Sequence, residues 1–254
     1  MDEDLLLGVL PITVAWVATT GLGSFLSPLL FSTYSNLGTP MQRYWACSLT
    51  STIHAVLVVY LAVAALLESP EFYAAQGDRD LHFTTSASQQ CFQVFLGYIL
   101  SDTLFVLWYH EVWPGTQATL VHHLTAIFTW VQLLGWGVGH TLGLVAIIAE
   151  CTTPFVNNRW FLDKANMKDG LVYLLNGLLM TFSWFVVRVL GFLWLGTVVY
   201  GWRDQIALLP FHHGIALVGS YLIGLALQLF WFKKMVRGAI KTLRSNPGSK
   251  PSVD

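Results

Sequence analysis

The chain has 254 residues, of which 55% are hydrophobic and only 11% charged. A soluble domain is about 25% charged, so little of this surface can meet water, and the shortfall implies lipid contact. The net charge of −1 excludes the polyelectrolyte attraction that nucleic-acid binding rests on, and the widely separated Cys47, Cys91 and Cys151 read as buried free thiols rather than a disulfide framework.

The first apolar run, about 5–31, follows the acidic leader Met1-Asp2-Glu3-Asp4. A cleavable signal peptide needs a positive leader and a short apolar core. This run instead predicts a permanent membrane helix, bent or ended near Gly21, Gly23 and Pro28. A polar loop over 32–42 leads to a second span over about 43–67, and the hydrophilic stretch 68–90, with Glu71, Asp78, Arg79 and Asp80, reads as a loop. A third span covers about 91–109, a turn holds Pro114-Gly115, and a fourth span covers about 117–136. Gly135, Gly137 and Gly139 mark a tight turn. The fifth span, about 141–156, ends in Asn157-Asn158-Arg159, and the connector 162–169 follows. The apolar run 170–202 exceeds the roughly 20 residues a span needs. One tilted helix fits it, and so does a helix followed by an interfacial segment beyond Gly191. A seventh span covers about 210–232, and the basic tail 233–254 becomes rich in Pro, Ser and Gly, so its end reads as disordered. The fold expected is all-α and polytopic, with about seven transmembrane helices.

The positive-inside rule orients this arrangement. With the N-terminus outside, the inner segments hold Arg43, Arg159, Lys164, Lys168, Lys233, Lys234, Arg237, Lys241, Arg244 and Lys250, and the outer ones only Arg79 and Arg203. A lumenal N-terminus and a cytosolic C-terminus are expected.

Ionisable groups at membrane depth are costly and either line a cavity or meet a partner. At about 1.5 Å of rise per residue, His54, Ser101, Asp102, His122, His123, Glu150, Asn157, Asn176 and Gln228 fall in the cytosolic half of six helices. They predict one shared cavity open to the cytosol. His122 and His123 are about 100° apart on a helix, so they cannot face the same way. A histidine held by a carboxylate such as Asp102 can act as a general base or accept an acyl group. Ser101, Thr125, Glu150, Asn157, Asn176 and His54 are expected to line the lipid site. Glu150 and Asn157 read equally as helix-packing contacts, and His54 as a satisfied interior histidine. Arg188 is expected to snorkel to the lumenal interface, where His212-His213 also fall. Adjacent histidines on one helix suit no metal shell, so no metal is assigned. The absence of an inverted repeat argues against alternating-access transport.

Three stretches carry a family resemblance: Ser101-Asp102, then His122-His123-Leu124-Thr125, then the run from Glu150 through Thr153-Pro154-Phe155-Val156-Asn157-Asn158-Arg159-Trp160 to Phe161. Together they resemble the TLC domain, shared by the TRAM translocation-associated proteins, the ceramide synthases and the ceroid-lipofuscinosis membrane protein. The likeness spans about 43–241, which divides the chain into an N-terminal helix and loop (1–42), the TLC domain (43–241) and a tail (242–254). It implies a six-helix bundle around a lipid cavity in the endoplasmic reticulum or a related membrane, with one extra helix at the N-terminus. In ceramide synthases the paired histidines catalyse N-acylation of a sphingoid base by acyl-CoA. Carried over, that assigns catalysis to His122 and His123 with Asp102 nearby, acyl-CoA as co-substrate and no tightly bound cofactor. Unlike the synthases, this chain has no acid over 117–121 and no homeobox-like insert. Two readings therefore stand. One is a lipid-binding acyltransferase. The other is a non-enzymatic lipid sensor, trafficking factor or structural subunit, whose partners are membrane lipids, other membrane proteins or a second copy of the chain.

Overall fold

A composition this apolar leaves the backbone one economical way to satisfy its polar groups in hydrocarbon, the helix. The computed structural model describes residues 2–69 and 81–244, the last four by backbone alone, and among these it contains helices and no strand. The middle of the expected loop, with Glu71, Asp78, Arg79 and Asp80, lies outside the described residues, as does the end of the tail with Lys250.

Seven long helical stretches follow one another among the described residues. They are α1 (Val9–Leu30), preceded by the short turn Glu3–Leu7, then α2 (Thr39–Glu68), α3 (Ser86–Trp108) and α4 (Thr116–Trp136). Next, α5 (His140–Ile148) tightens through a 3-10 turn, Ala149–Thr152, into α6 (Thr153–Lys164). Then α7 (Leu171–Ser183) passes through a π-helical segment, Trp184–Leu190, into α8 (Gly191–Gly201). Finally Phe211–Gly214 and a second π segment, Ile215–Gly219, lead into α9 (Ser220–Arg244). Five stretches are long and apolar enough to cross a bilayer: Glu3–Leu30, Thr39–Glu68, Ser86–Trp108, Leu171–Gly201 and Phe211–Ile240. The two that miss this test are α4 and the interrupted α5–α6, which carry His122, His123, Glu150 and Asn157.

The polarity is that of a protein dissolved in lipid. Val14 (68%), Leu29 (72%) and Phe182 (67%) face outward, far more apolar exposure than a water-soluble monomer carries. Thr50, Thr103, His123, Asn176, Arg188 and Gln228 are buried inside. The interior polar groups join helices: Thr20 donates to Thr50 Oγ1 at 3.1 Å, linking α1 to α2, and Trp16 Nε1 donates to the Val94 carbonyl of α3 at 3.3 Å.

Several boundaries differ from expectation for local reasons. α1 runs straight past Gly21, Gly23 and Pro28 and breaks only at Phe31, whose backbone is extended. A Cβ on Gly23 would stand 3.8 Å from the Ala46 carbonyl oxygen, an ordinary contact, so this glycine marks neither a bend nor an obligatory close approach. α3 starts at Ser86, earlier than expected, because Thr85 and Ser88 form a reciprocal capping box with bonds of 3.1 and 3.0 Å. α6 carries Asn157-Asn158-Arg159 within the helix and ends at Lys164, where the following backbone reaches Asn166 at φ 58°. The run 170–202 is one continuous helix: Gly191 keeps helical angles (φ −61°, ψ −43°) and no interfacial segment separates there.

Gly137 (φ 62°) and Gly139 (φ 67°) make the left-handed turn between α4 and α5. A Cβ on Gly139 would stand 2.6 Å from Leu217 and 3.1 Å from Leu133. Gly139→Ala is therefore expected to cost about 1–3 kcal/mol, read as a lower unfolding midpoint in detergent. An unchanged midpoint would show that the turn relaxes freely.

Candidate functional site

The left-handed Gly115 (φ 74°) opens α4, which sets its two histidines one to two turns into the helix. As consecutive helical residues they point apart, with ring centroids 5.7 Å from each other. His123 is buried and turns to α3. Its Nε2 lies 3.6 Å from Asp102 Oδ2, and its Nδ1 lies 3.1 Å from Thr103 Oγ1. Thr103 already donates its hydroxyl proton to the Ile99 carbonyl at 2.6 Å. It must therefore accept from His123, which assigns the Nδ1 proton and leaves Nε2 turned toward Asp102. Asp102 in turn lines a polar cavity of ≈ 110 Å3 together with Tyr44, Cys47, Ser51, Tyr98 and Asn157.

His122 faces a different cavity, of ≈ 100 Å3, whose walls are mainly apolar and aromatic, including Phe95, Trp130, Leu133, Phe192 and Leu195. Its polar lining includes Thr125, Glu150, Arg188 and Gln228. Glu150 comes from the 3-10 turn between α5 and α6, and Arg188 from the π segment facing it. Arg188 Nη2 donates to Glu150 Oε1 at 3.1 Å, and Nε donates to Thr152 Oγ1 at 2.7 Å. Thr153 donates to Glu150 Oε2 at 2.6 Å, and the guanidinium sits 4.5 Å from the Trp184 ring centre. Also on this wall, Trp130 Nε1 and Gln228 Oε1 have no hydrogen-bond partner among the described residues. A ligand carrying both an acceptor and a donor would satisfy them.

Arg188 corrects the sequence reading. It does not snorkel to an interface but is buried at 4% exposure in an ion pair. Because the helix continues through Gly191, Arg188 stands thirteen residues from Gly201, about 20 Å of rise, beyond the reach of its own side chain. The expected single chamber is also corrected: among the described residues His122 lines the apolar cavity, whereas His123 turns away from it to Asp102, which lines a separate one.

Of the remaining predicted residues three line one or other of these cavities and three line neither. Thr125 and Glu150 line the apolar cavity. Asn157 lines the polar one and donates to the Ser48 carbonyl and Thr52 Oγ1, both at 3.0 Å, holding α6 to α2. Ser101 lines neither of the two; its hydroxyl donates to Tyr98 O within α3 at 2.9 Å. Asn176 accepts from Asn158 and donates to the Phe155 carbonyl at 2.9 Å, fixing α7 on α6 outside both cavities. His54 lies in an aromatic stack, parallel to Tyr98 at 3.8 Å and edge-on to Trp16 at 5.6 Å, and lines neither cavity. At the far end His213 is buried against Trp136 at 5.0 Å. Sequence reasoning missed Thr103 and the role of Arg188. The second had a signal: the same depth arithmetic applied to an unbroken 170–202 helix puts it near the middle.

Comparison with known proteins places this geometry. The sequence profile of the TLC domain matches residues 44–237. TLC domain-containing protein 4-A of Xenopus laevis is 27% identical over 98% of this chain and 97% of its own length. TLC domain-containing protein 4 of Homo sapiens is 26% identical, covering 83% of this chain and 79% of its own. Human protein CLN8 is 26% identical, covering 82% and 73%. Every residue named in the two cavities falls inside the matched region.

Proposed function

The chain belongs to the TLC domain family, and on that premise we propose that it binds a long-chain lipid with its chain in the apolar cavity at His122 and its polar end toward the cavity at Asp102. The observation that carries this reading is that adjacent histidines on one helix part, His122 lining the mainly apolar cavity and His123 turning to Asp102, which lines the more polar one. Apolar walls with a few convergent polar groups are the general form of a small-molecule site, and the unpartnered Trp130 and Gln228 groups supply orientation. At ≈ 100 Å3 the apolar cavity takes part of a chain, since one water alone needs about 10–15 Å3 in this measure. The site is in the endoplasmic reticulum or a related membrane, with the basic end of the bundle toward the cytosol.

The chemistry this arrangement would serve is acyl transfer from acyl-CoA to an amine or hydroxyl. The acceptor gives its proton to the Asp102–His123 pair while its nitrogen or oxygen attacks the thioester carbonyl, and the pair returns that proton to sulfur as the C–S bond breaks, so that CoA leaves as the thiol. One observation favours a non-enzymatic lipid sensor instead: Glu150, the acid nearest the chain, is committed to Arg188 at 3.1 Å and cannot serve as a base.

The lipid-binding core of the proposal is tested with Ala146→Phe. Ala146 lines the apolar cavity, and a phenyl ring there fills it. Lipid co-purifying with the protein, extracted and weighed by mass spectrometry, is expected to fall at least about tenfold, the equivalent of about 1.4 kcal/mol. Unchanged lipid in a variant that stays folded removes this cavity as the binding site.

A further inference from the structure

A third concavity lies toward the basic end of the bundle, in the groove between α6, α7 and α9, with a volume of ≈ 240 Å3. Its lining includes Arg159, Gly177, Leu178, Met180, Lys234 and Met235. Along both flanking helices a tryptophan falls between this groove and the apolar cavity. They are Trp184 and Trp231, 6.0 Å apart, with Trp184 Nε1 donating to the Gln228 carbonyl at 3.2 Å. The groove is therefore separate from the site discussed above and does not depend on it.

Its two cations are held in place yet lack anions. The Arg159 guanidinium lies 4.0 Å from the Tyr173 ring centre, and Nη1 donates to the Tyr173 carbonyl at 3.2 Å. A Cβ on Gly177 would collide with that same nitrogen, so the glycine is what lets the guanidinium lie flat against α7. The Lys234 ammonium lies 4.3 Å from the Phe230 ring centre. Lys168, Arg188 and Arg203 pair with Asp163, Glu150 and Asp204, whereas Arg159 and Lys234 face one groove without a carboxylate. The hydrogen bond from Lys168 to Asp163 raises that ammonium's pKa above its ordinary value. Among the described residues neither Arg159 nor Lys234 has a carboxylate within 4.0 Å. Gly177 is six residues, about 9 Å of rise, from the start of the apolar stretch Leu171–Gly201, and Leu178, Met180 and Met235 form an apolar floor.

We propose that this groove binds an anionic glycerophospholipid, its phosphate between Arg159 and Lys234 and its first methylenes over Leu178 and Met235. A guanidinium fork and an ammonium lining one groove suit phosphate oxygens, and basic pockets between membrane helices are suited to acidic headgroups. The phosphate chemistry alone would also fit a free anion; the apolar floor, near the end of a helix long enough to cross a bilayer, commits the proposal to a lipid.

The test uses full-length protein in mild detergent, supplied with palmitoyl-oleoyl phosphatidylglycerol or the phosphatidylcholine of the same chains and read by native mass spectrometry. Wild type is expected to retain the glycerol lipid over the choline lipid. Arg159→Gln and Lys234→Gln are each expected to lower that preference about fivefold, the worth of one basic residue near a membrane surface. Lys234 is exposed, so its variant keeps the test meaningful if Arg159→Gln loosens the packing on Tyr173. Lys233→Gln, one residue away and outside the groove lining, is the control. Equal retention of both lipids by wild type, or an equal loss in Lys233→Gln, overturns the site in favour of diffuse attraction. Displacement of the lipid by inorganic phosphate at equal concentration overturns it in favour of a free-anion site.

Discussion

Arg188→Met is expected to destabilise the protein by about 3–5 kcal/mol, the usual result of removing one partner of a buried ion pair. The magnitude follows from what is left behind. Glu150 loses the contact at 3.1 Å, and Thr152 and Thr153 lose the guanidinium that they face at 2.7 and 3.2 Å. The side chains of Arg188 and Glu150 are only 5% and 17% exposed, so water cannot take the place of the missing cation. Glu150→Gln should cost less, because an amide is neutral and can still accept from Arg188, but it leaves the guanidinium charge uncompensated. The double variant Glu150→Gln/Arg188→Met, with no buried charge, should recover most of the Arg188→Met loss. Equilibrium unfolding in mixed micelles reads all three. If Arg188→Met costs less than about 1 kcal/mol, the pair is solvated and the apolar cavity is wetter than its walls suggest; strict additivity in the double variant would mean that the two groups do not interact.

How much of this was legible in the sequence depends on the length scale of the signal. Helices and their order follow from apolar runs, because hydrocarbon allows few backbone solutions. Boundaries were displaced where a short polar motif decides them, as at Thr85-Ser88, or where a helix continues past the hydrocarbon, as from Asn157 to Lys164. That His122 and His123 point apart is contained in the 100° step of a helix. What lies opposite each is not, because it depends on the rotation of neighbouring helices about their own axes. A depth estimate knows distance along a helix but not direction around it. Hence His54 shares a depth with the cavities and yet sits in an aromatic stack with Tyr98, while Ser101 is satisfied by its own helix. Arg188 lies inside rather than at an interface because the helix runs unbroken through Gly191, a choice that the apolar run 170–202 alone leaves open.

The catalytic reading makes a prediction that a lipid sensor does not share. Asp102 and His123 are one unit, 3.6 Å apart, with Thr103 fixing the far ring nitrogen. With acyl-CoA and a panel of long-chain amines and alcohols, Asp102→Asn and His123→Ala should each lower turnover by about 10²–10⁴-fold, the range for losing a general base. The double variant should lose no more than the worse single, because either change alone empties the same proton relay. His122 stands apart, turned to the apolar cavity beside Trp231 at 5.7 Å. His122→Ala should therefore reduce retained lipid, and its effect should multiply with that of Asp102→Asn rather than merge with it. Each outcome assigns a role. Merged losses for Asp102 and His123 with an independent His122 place proton transfer on one side of α4 and chain binding on the other. Turnover that survives loss of both histidines removes the acyl-transfer mechanism. If in that case His122→Ala still lowers bound lipid, the pair on α4 serves recognition, and the polar cavity at Asp102 is the seat of a headgroup rather than of a reaction.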